Sequence, residues 1–222
     1  MKILYLSCHS ILEYDELRLF EELGIEYFSL GSYIDPQKPV DPIRPALKQK
    51  AMPKPLALAP ERDKLTKELV EPFDAIVVMH VPEWKEKNWE QIKHKKVIWR
   101  TIGQSNPEIE KRLWKYRQEG LIIFRYSPKE SNIADNIGCD QVVRFYKDPD
   151  DFKDWNGLNK EVITFAQNMK HRAEFCSWDA FVTIASGFNA HVYGPNNENA
   201  KELNGGFLTY DDMKQKMRDS RV

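Results

Sequence analysis

The chain has 222 residues, enough for one large domain or two small ones, and its 41% hydrophobic content supports a packed core. Its 33 basic and 34 acidic residues leave a net charge of −1. This balance argues against a nucleic-acid-binding surface built on bulk positive charge.

The cysteines and the N-terminus indicate the cellular setting. Cys8, Cys139 and Cys176 are widely spaced and odd in number, so they fit neither a disulfide framework nor a CxxC metal site. A reduced, cytoplasmic environment is therefore expected. The apolar run Ile3–Ser7 is too short for a signal peptide or a membrane span, and it is typical of a buried first strand.

The first 30 residues predict a strand–helix–strand unit. Lys2–Ser7 has the pattern of a buried strand, and a short polar loop follows it. Apolar residues at helical spacing predict a helix over residues 11–23, with Gly24 at its end. Glu26–Leu30 is a second short strand, and parallel pairing with the first is expected.

Residues 31–60 interrupt this alternation with prolines. Seven are present: Pro36, Pro39, Pro42, Pro45, Pro53, Pro55 and Pro60. Proline removes backbone donors, so the segment predicts a long, partly extended excursion. Such an excursion either shapes a substrate site or forms a surface or disordered insertion, and the sequence leaves both alternatives open.

Alternation of helices and strands resumes after residue 60. The predicted helices are Glu61–Val70, Trp84–His94 and a segment from Pro107 to about Gln118, which Asn106 caps. The predicted strands are Asp74–Met79, Val97–Trp99, Leu121–Arg125 and Val142–Tyr146. Residues 1–147 therefore predict an α/β domain with a Rossmann-like, doubly wound, mostly parallel sheet.

After an acidic linker over residues 148–160 the pattern restarts. The predicted strands are Glu161–Ala166 and His191–Tyr193, and the predicted helices are Trp178–Ser186 and a last helix that Thr209 caps and that runs to about Asp219. Two strands cannot bury a parallel sheet alone. Either residues 1–147 supply the missing face, or residues 161–222 are the first part of a truncated second Rossmann-like domain, which is the expectation favoured.

Polar loops follow several predicted strands at the edge where parallel sheets bind ligands. None has the Gly-x-Gly-x-x-Gly fingerprint, which disfavours dinucleotide binding, and no P-loop is present. His9 and His80 are candidate general bases, because imidazole titrates near neutral pH, although structural roles are an alternative. Neither histidine has metal-ligand spacing, so no metal is expected.

Two further loops carry polar residues suited to binding. Residues 101–105 precede a helix and can present backbone N–H groups to an anion or a sugar hydroxyl, unless they form an ordinary turn. Lys170 and Arg172 can neutralise a diphosphate leaving group, or they belong to a solvated basic loop. Residues 193–198 can line a base or ribose pocket, or they form a plain turn.

Several segments together resemble GT-B glycosyltransferases, specifically retaining, GT4-like relatives from bacteria and archaea. They are WRTIGQSNPEIE (Trp99–Glu110), FRYSPKE (Phe124–Glu130), RFYKDPDDF (Arg144–Phe152), ITFAQNMKHR (Ile163–Arg172) and VYGPNNE (Val192–Glu198). The resemblance implies an acceptor-side domain over residues 1–147 and a donor-binding domain from residue 161. The acidic motif and glycine-rich loop that hold the donor in such enzymes have no counterpart in these 222 residues.

The resemblance assigns roles to the polar loop residues. The candidate donor-binding residues are Gln167, Asn168, Lys170, Arg172, Gly194 and Glu198, with Lys170 and Arg172 at the diphosphate. The candidate acceptor-binding residues are Ser10, Thr101, Gln104, Ser105 and Tyr126. His9 and His80 are the candidate catalytic residues.

The expected activity is transfer of a sugar from a nucleotide sugar to a hydroxyl acceptor in the cytoplasm, without a metal or a cofactor. The expected partners are the nucleotide sugar and a small-molecule or glycan acceptor, with no nucleic acid and no integral membrane segment. Two alternatives are kept. One is a non-catalytic binding module that retains only the acceptor-side domain, and the other is a sugar-nucleotide epimerase.

Overall fold

A computed structural model describes residues 1–6, 9–31, 44, 47, 64–80, 82–103, 107–132 and 137–220. These residues form two compact units. The first contains the described residues up to Tyr146 apart from Arg44, and the second contains Arg44 and the residues from Lys147 onward. The proline-rich excursion lies largely outside the described residues, as do residues 61–63 of the helix predicted over Glu61–Val70. The earlier start of that helix is wrong over Lys64–Thr66, because Thr66 caps a helix that begins at Lys67.

The first unit has a sheet of six strands that are all parallel. They are β1 (Lys2–Leu6), β2 (Glu26–Ser29), β3 (Ala75–Met79), β4 (Lys96–Arg100), β5 (Ile122–Arg125) and β6 (Gln141–Val142), in the spatial order β2-β1-β3-β4-β5-β6. All five residues of β3 are buried, as the continuous apolar run predicts for a central strand. The predicted parallel Rossmann-like sheet is confirmed.

Helices cover both faces of this sheet. They are α1 (Ser10–Glu22), α2 (Lys67–Val70), α3 (Pro82–Ile92) and α4 (Pro107–Gln118), and a 3₁₀ turn follows β5 at Pro128–Asn132. Successive strand residues point to opposite faces. On β4, Arg100 bonds to Glu16 of α1, whereas the Trp99 ring lies near Lys85 of α3. Helices α1 and α3 therefore pack on opposite faces.

The sixth strand is much shorter than the predicted Val142–Tyr146. Strand β6 contains only Gln141–Val142, and the Val143 amide still donates to the Arg125 carbonyl at 2.8 Å. Beyond it, the Phe145 ring stacks on Tyr126 with the ring centroids 5.3 Å apart. The prediction of a strand through Tyr146 is wrong, because these aromatic residues pack onto other side chains rather than extending the sheet.

The second unit has a smaller parallel sheet of three strands, β7 (Val162–Phe165), β8 (Ala190–Tyr193) and β9 (Asn204–Gly206), in that order. The expectation of only two strands here is wrong. The sequence Asn-Gly-Gly of β9 lacks the β-branched and aromatic residues that indicate a strand. A Cβ at Gly205 would lie only 2.4 Å from the Tyr193 ring, so this strand needs a glycine where it meets β8.

Helices also accompany the second sheet. They are α5 (Ala173–Cys176), α6 (Trp178–Ala185) and α7 (Tyr210–Asp219), with 3₁₀ turns at Pro149–Asp151 and Glu198–Leu203. As predicted, Thr209 caps the last helix, and its Oγ1 accepts a hydrogen bond from the Asp212 amide at 3.2 Å. The core of the unit contains Met169, Phe181, Ala185, Ala190, Val192 and Ala200.

Candidate functional site

At the carboxyl edge of the second sheet, Asn197 joins the loops that follow β7 and β8. Its Nδ2 donates to the carbonyl oxygens of Ala166 (2.7 Å) and Gly194 (3.0 Å), and its Oδ1 accepts from the Met169 amide at 2.8 Å. The side chain is 1% exposed, so these hydrogen bonds form away from water. The two loops therefore form one connected surface, which we call the Asn197-linked loops (residues 167–172 and 194–198).

The backbones of these loops also approach each other closely. Gly194 has φ +139, and a Cβ at this position would lie 2.4 Å from the Ala166 carbonyl oxygen. Only glycine allows this combination of conformation and proximity. Asn168 has φ +47, a region that asparagine tolerates, and its amide donates to the Pro195 carbonyl at 3.0 Å.

The predicted donor-binding side chains on these loops lie mostly in solvent. Gln167, Lys170, Arg172 and Glu198 are exposed, and Asn168 is half-buried. Lys170 Nζ lies 3.4 Å from the Asn199 carbonyl oxygen and 5.9 Å from the Trp178 ring centroid. The loops thus carry two exposed cations and one exposed carboxylate on a backbone held in place by Asn197.

Asn197 was predicted only as one member of the loop 193–198, not as the residue that links two loops. In the sequence it is one of two neighbouring asparagines after Gly194-Pro195, and nothing local distinguishes it from Asn196. Its partner Ala166 is 31 residues away in the chain. The available signal was a short polar side chain in the loop that follows a predicted buried strand, where an amide can satisfy backbone groups of the adjacent loop.

One face of the second sheet carries a cluster of ionisable groups around Glu161. Its carboxylate accepts hydrogen bonds from Lys216 (2.5 Å) and Tyr193 (2.7 Å), and Nδ1 of His191 lies 2.5 Å from it. Burial alone raises the pKa of Glu161, but the hydrogen bonds from Lys216, Tyr193 and His191 outweigh burial and lower the pKa to about 2. Both carboxylate oxygens are thus occupied, so the cluster joins β8 to α7.

In the first unit, His9 and His80 follow the adjacent strands β1 and β3, so both lie at the carboxyl edge of the sheet. His80 has φ +62, and its amide donates to the Arg100 carbonyl at 3.0 Å. Partial burial lowers the pKa of His80, which favours its neutral imidazole. His9 precedes α1, and its side chain makes no capping hydrogen bond.

The structure brings together two of the predicted acceptor-binding residues. The Thr101 hydroxyl accepts a hydrogen bond from the Tyr126 amide at 2.9 Å, and Thr101 is almost completely buried. The Tyr126 ring is 39% exposed. Gln104, Ser105 and the side chain of Ser10 lie outside the described residues.

Arg100, at the end of β4, is a second residue that the sequence predictions did not single out. Its Nε donates to Oε1 of Glu16 at 2.7 Å, and Oε2 of Glu16 accepts from the Tyr5 hydroxyl at 2.5 Å. Burial and the neighbouring Glu16 charge raise the pKa of Tyr5 well above its usual value, so Tyr5 stays a hydrogen-bond donor. The signal in the sequence was a charged residue directly after the apolar strand core.

Two general properties concern the described residues as a whole. Among them, no group of three His, Cys, Asp or Glu side chains is arranged to hold a metal ion. Within the same part of the chain, no helix has the length and hydropathy needed to span a lipid bilayer.

No protein-family model matches this chain, and no curated protein matches it either. The structure itself defines the class as an α/β protein with a six-stranded, Rossmann-like parallel sheet and a second parallel sheet of three strands.

Proposed function

We propose that this chain acts in the cytoplasm in the transfer of a sugar from a nucleotide-sugar donor to a hydroxyl acceptor, and that its second unit binds the donor diphosphate. The observation that carries the proposal is the pair of Asn197-linked loops. They lie at the carboxyl edge of a parallel sheet, where α/β proteins bind ligands, and they present Lys170 and Arg172 to solvent. The sequence resemblance to GT-B glycosyltransferases supports the same assignment.

The proposed role of the two cations follows from the chemistry of the leaving group. A nucleoside diphosphate gains negative charge as its bond to the sugar breaks, and nearby cations stabilise that charge. In this scheme Lys170 and Arg172 bind the diphosphate oxygens. Glu198, on the second loop, accepts hydrogen bonds from ribose hydroxyls, because an ionised carboxylate is an acceptor with two oxygens.

The first unit supplies the acceptor side in this proposal. His80 is the proposed general base toward the acceptor hydroxyl, because partial burial lowers the pKa of His80 and so favours the neutral imidazole, which can accept a proton. Thr101 and Tyr126 lie at the same edge of the sheet and are the described candidates for contact with the acceptor. No step in this scheme uses a metal ion or a cofactor.

The donor role is tested by titrating the 222-residue chain with uridine diphosphate and guanosine diphosphate in a calorimeter. Changing Lys170 and Arg172 together to Ala is expected to weaken the binding of at least one diphosphate by roughly 10- to 100-fold, the loss expected from charge-assisted hydrogen bonds. A matched control changes Lys153 and Lys160 to Ala, because both are exposed lysines of the second unit outside the loops.

The outcomes separate the proposal from its alternatives. Equal affinity in the Lys170/Arg172 variant and its control contradicts the diphosphate role. Diphosphate binding without sugar transfer to any hydroxyl acceptor favours a non-catalytic binding module. Conversion of the nucleotide sugar without an acceptor favours an epimerase.

A further inference from the structure

The Arg100 guanidinium carries hydrogen-bonding capacity that the described protein does not use. Arg100 is 2% exposed, and its Nε is bonded to Glu16 at 2.7 Å. Neither Nη1 nor Nη2 has a hydrogen-bond partner among the residues that the structure describes. These two nitrogens form one edge of the guanidinium and together carry four N–H donors, so that edge has no hydrogen-bond acceptor among the described residues.

Unpaired donors on a buried, permanently charged group are costly, and native proteins rarely leave them so. An arginine cannot avoid the cost by losing its proton. Glu16 does not remove it either, because its second oxygen is taken by the Tyr5 hydroxyl. A ligand that accepts hydrogen bonds at Nη1 and Nη2 satisfies these donors.

The position of Arg100 fits a ligand site. It is the last residue of β4, and the carbonyl of the same residue bonds to His80 after the neighbouring strand β3. Ligands of open parallel sheets bind at this carboxyl edge.

An aromatic ring covers the guanidinium in this structure. The Phe145 ring centroid lies 4.2 Å from Cζ of Arg100. The Tyr126 ring in turn stacks on Phe145, with the two ring centroids 5.3 Å apart. Phe145 belongs to the segment after β6 that is not part of the sheet, and its neighbour Tyr146 is anchored through its hydroxyl to Glu22 at 2.6 Å. The ring that packs on the guanidinium therefore comes from a segment outside the strand pairing.

We propose that Arg100 is the centre of a carboxylate-binding site at the carboxyl edge of the first sheet. The carboxylate accepts two hydrogen bonds, one from Nη1 and one from Nη2, while Glu16 fixes the opposite side of the guanidinium and Phe145 flanks it. A flat, singly charged group fits best, because Glu16 already contributes one negative charge beside the arginine. The site lies within the first unit and does not depend on diphosphate binding in the second.

The direct test is NMR of the full chain labelled with ¹⁵N-arginine, titrated with sodium acetate and, separately, with sodium chloride at matched ionic strength. Acetate is expected to shift the Nη resonances of Arg100 in a saturable way, and chloride is not. Arg112, an exposed arginine already paired with Glu83 and Glu86, serves as an internal reference and is expected to show no saturable shift. Absence of an acetate-specific shift at Arg100 overturns the proposal.

Variants test the same site through thermal stability, since a ligand that binds only the folded chain raises its melting temperature. Arg100→Lys keeps the charge but loses the bidentate geometry, so acetate is expected to bind at least roughly tenfold more weakly than to the unchanged chain. The matched control Arg112→Lys is expected to retain the full acetate response. An Arg100→Lys chain that responds like its control contradicts the proposal.

A parallel titration with phosphate tests whether the site prefers a carboxylate to a phosphate. Sodium phosphate at matched ionic strength is expected to shift the Arg100 resonances less than acetate does at equal concentration. A larger effect of phosphate overturns the assignment to a carboxylate. The comparison of acetate with phosphate uses only the unchanged chain, so it does not depend on whether a variant folds.

Discussion

Arg100 and Arg125 end the neighbouring strands β4 and β5, and both are buried, but their guanidinium groups are partnered very differently. Arg125 Nη1 and Nη2 donate to the two oxygens of Glu110 at 2.6 and 2.8 Å, and the Gly138 carbonyl accepts further bonds from the same group at 3.0 and 3.2 Å. Arg100 has the single ion pair with Glu16. Burial alone therefore does not distinguish a structural arginine from one that can still bind a ligand. The hydrogen-bond partners of Nη1 and Nη2 make that distinction.

The two arginines also lie on opposite faces of the sheet. Arg100 pairs in register with Phe124, the residue before Arg125, and side chains alternate along a strand. The Arg125 face meets α4, which supplies Glu110, whereas the Arg100 face meets α1, which supplies Glu16. The face of the sheet on which each arginine lies determines which acidic residues it can reach. It therefore determines whether both Nη atoms of the guanidinium have partners.

Lys85 of α3 gives a third case of a buried cation. It is 0% exposed, and its Nζ lies 4.4 Å from the Tyr116 ring centroid, with no hydrogen-bond partner among the described residues. Burial lowers the pKa of Lys85 to about 7, although Glu86 opposes the shift. A lysine can thus lose its proton where an arginine cannot.

The largest expected effect is on the fully paired arginine. Changing Glu110 to Gln removes the carboxylate that pairs with both Nη atoms of buried Arg125 and leaves the Glu130 carboxylate 4.0 Å from Nη1, so the free energy of unfolding is expected to fall by about 3–5 kcal/mol. Urea unfolding monitored by circular dichroism measures it. The control Arg112→Gln breaks an exposed pair that solvent screens, and it is expected to cost far less than Glu110→Gln does.

A smaller loss is expected at Arg100. Changing Arg100 to Met removes the ion pair with Glu16, but it also removes the unpaired Nη donors, and Glu16 keeps its hydrogen bond from Tyr5. The expected loss in the free energy of unfolding is about 1–3 kcal/mol by the same urea measurement. A loss as large as that of Glu110→Gln would mean that the two arginines are equally structural, and the contrast between them would be wrong.

The smallest expected effect, measured per pH unit, is a pH dependence caused by Lys85. The unfolded chain holds this proton up to a pH near 10.4, whereas the folded chain releases it above about 7, so the unfolded state binds more protons between these values. The contribution of Lys85 to stability therefore rises with pH across this window, by at most about 1.4 kcal/mol per pH unit.

The measurement is urea unfolding between pH 6.5 and 9.5 of the unchanged chain and of Lys85→Met. The free energy of unfolding of the unchanged chain minus that of Lys85→Met is expected to rise as the pH rises. Taking this difference removes the contribution of groups that do not interact with Lys85, such as Lys93, whose pKa is raised by hydrogen bonds to Glu90 and Glu119. A difference that stays constant with pH contradicts a lowered pKa at Lys85.

Much of the candidate site in the second unit was predictable as a location, but its construction was not. The loops after β7 and β8 were predicted from strand ends followed by polar residues, a local pattern. The residue that connects them, Asn197, bonds to Ala166 at a sequence separation of 31. Such a pairing depends on the adjacency of two strands, and no local pattern of a single chain specifies it.

The order and type of most elements follow from the sequence alone, because hydrophobic periodicity and capping residues act over a few neighbouring positions. The apolar run of β3 and the Thr209 cap are examples. The tertiary structure decided that Phe145 leaves the sheet to cover Arg100, that Asn204–Gly206 joins the second sheet, and that Arg100 pairs with Glu16 at a separation of 84 residues. These outcomes depend on which side chains meet across distant parts of the chain, so the burial and partners of each charge became known only from the folded arrangement.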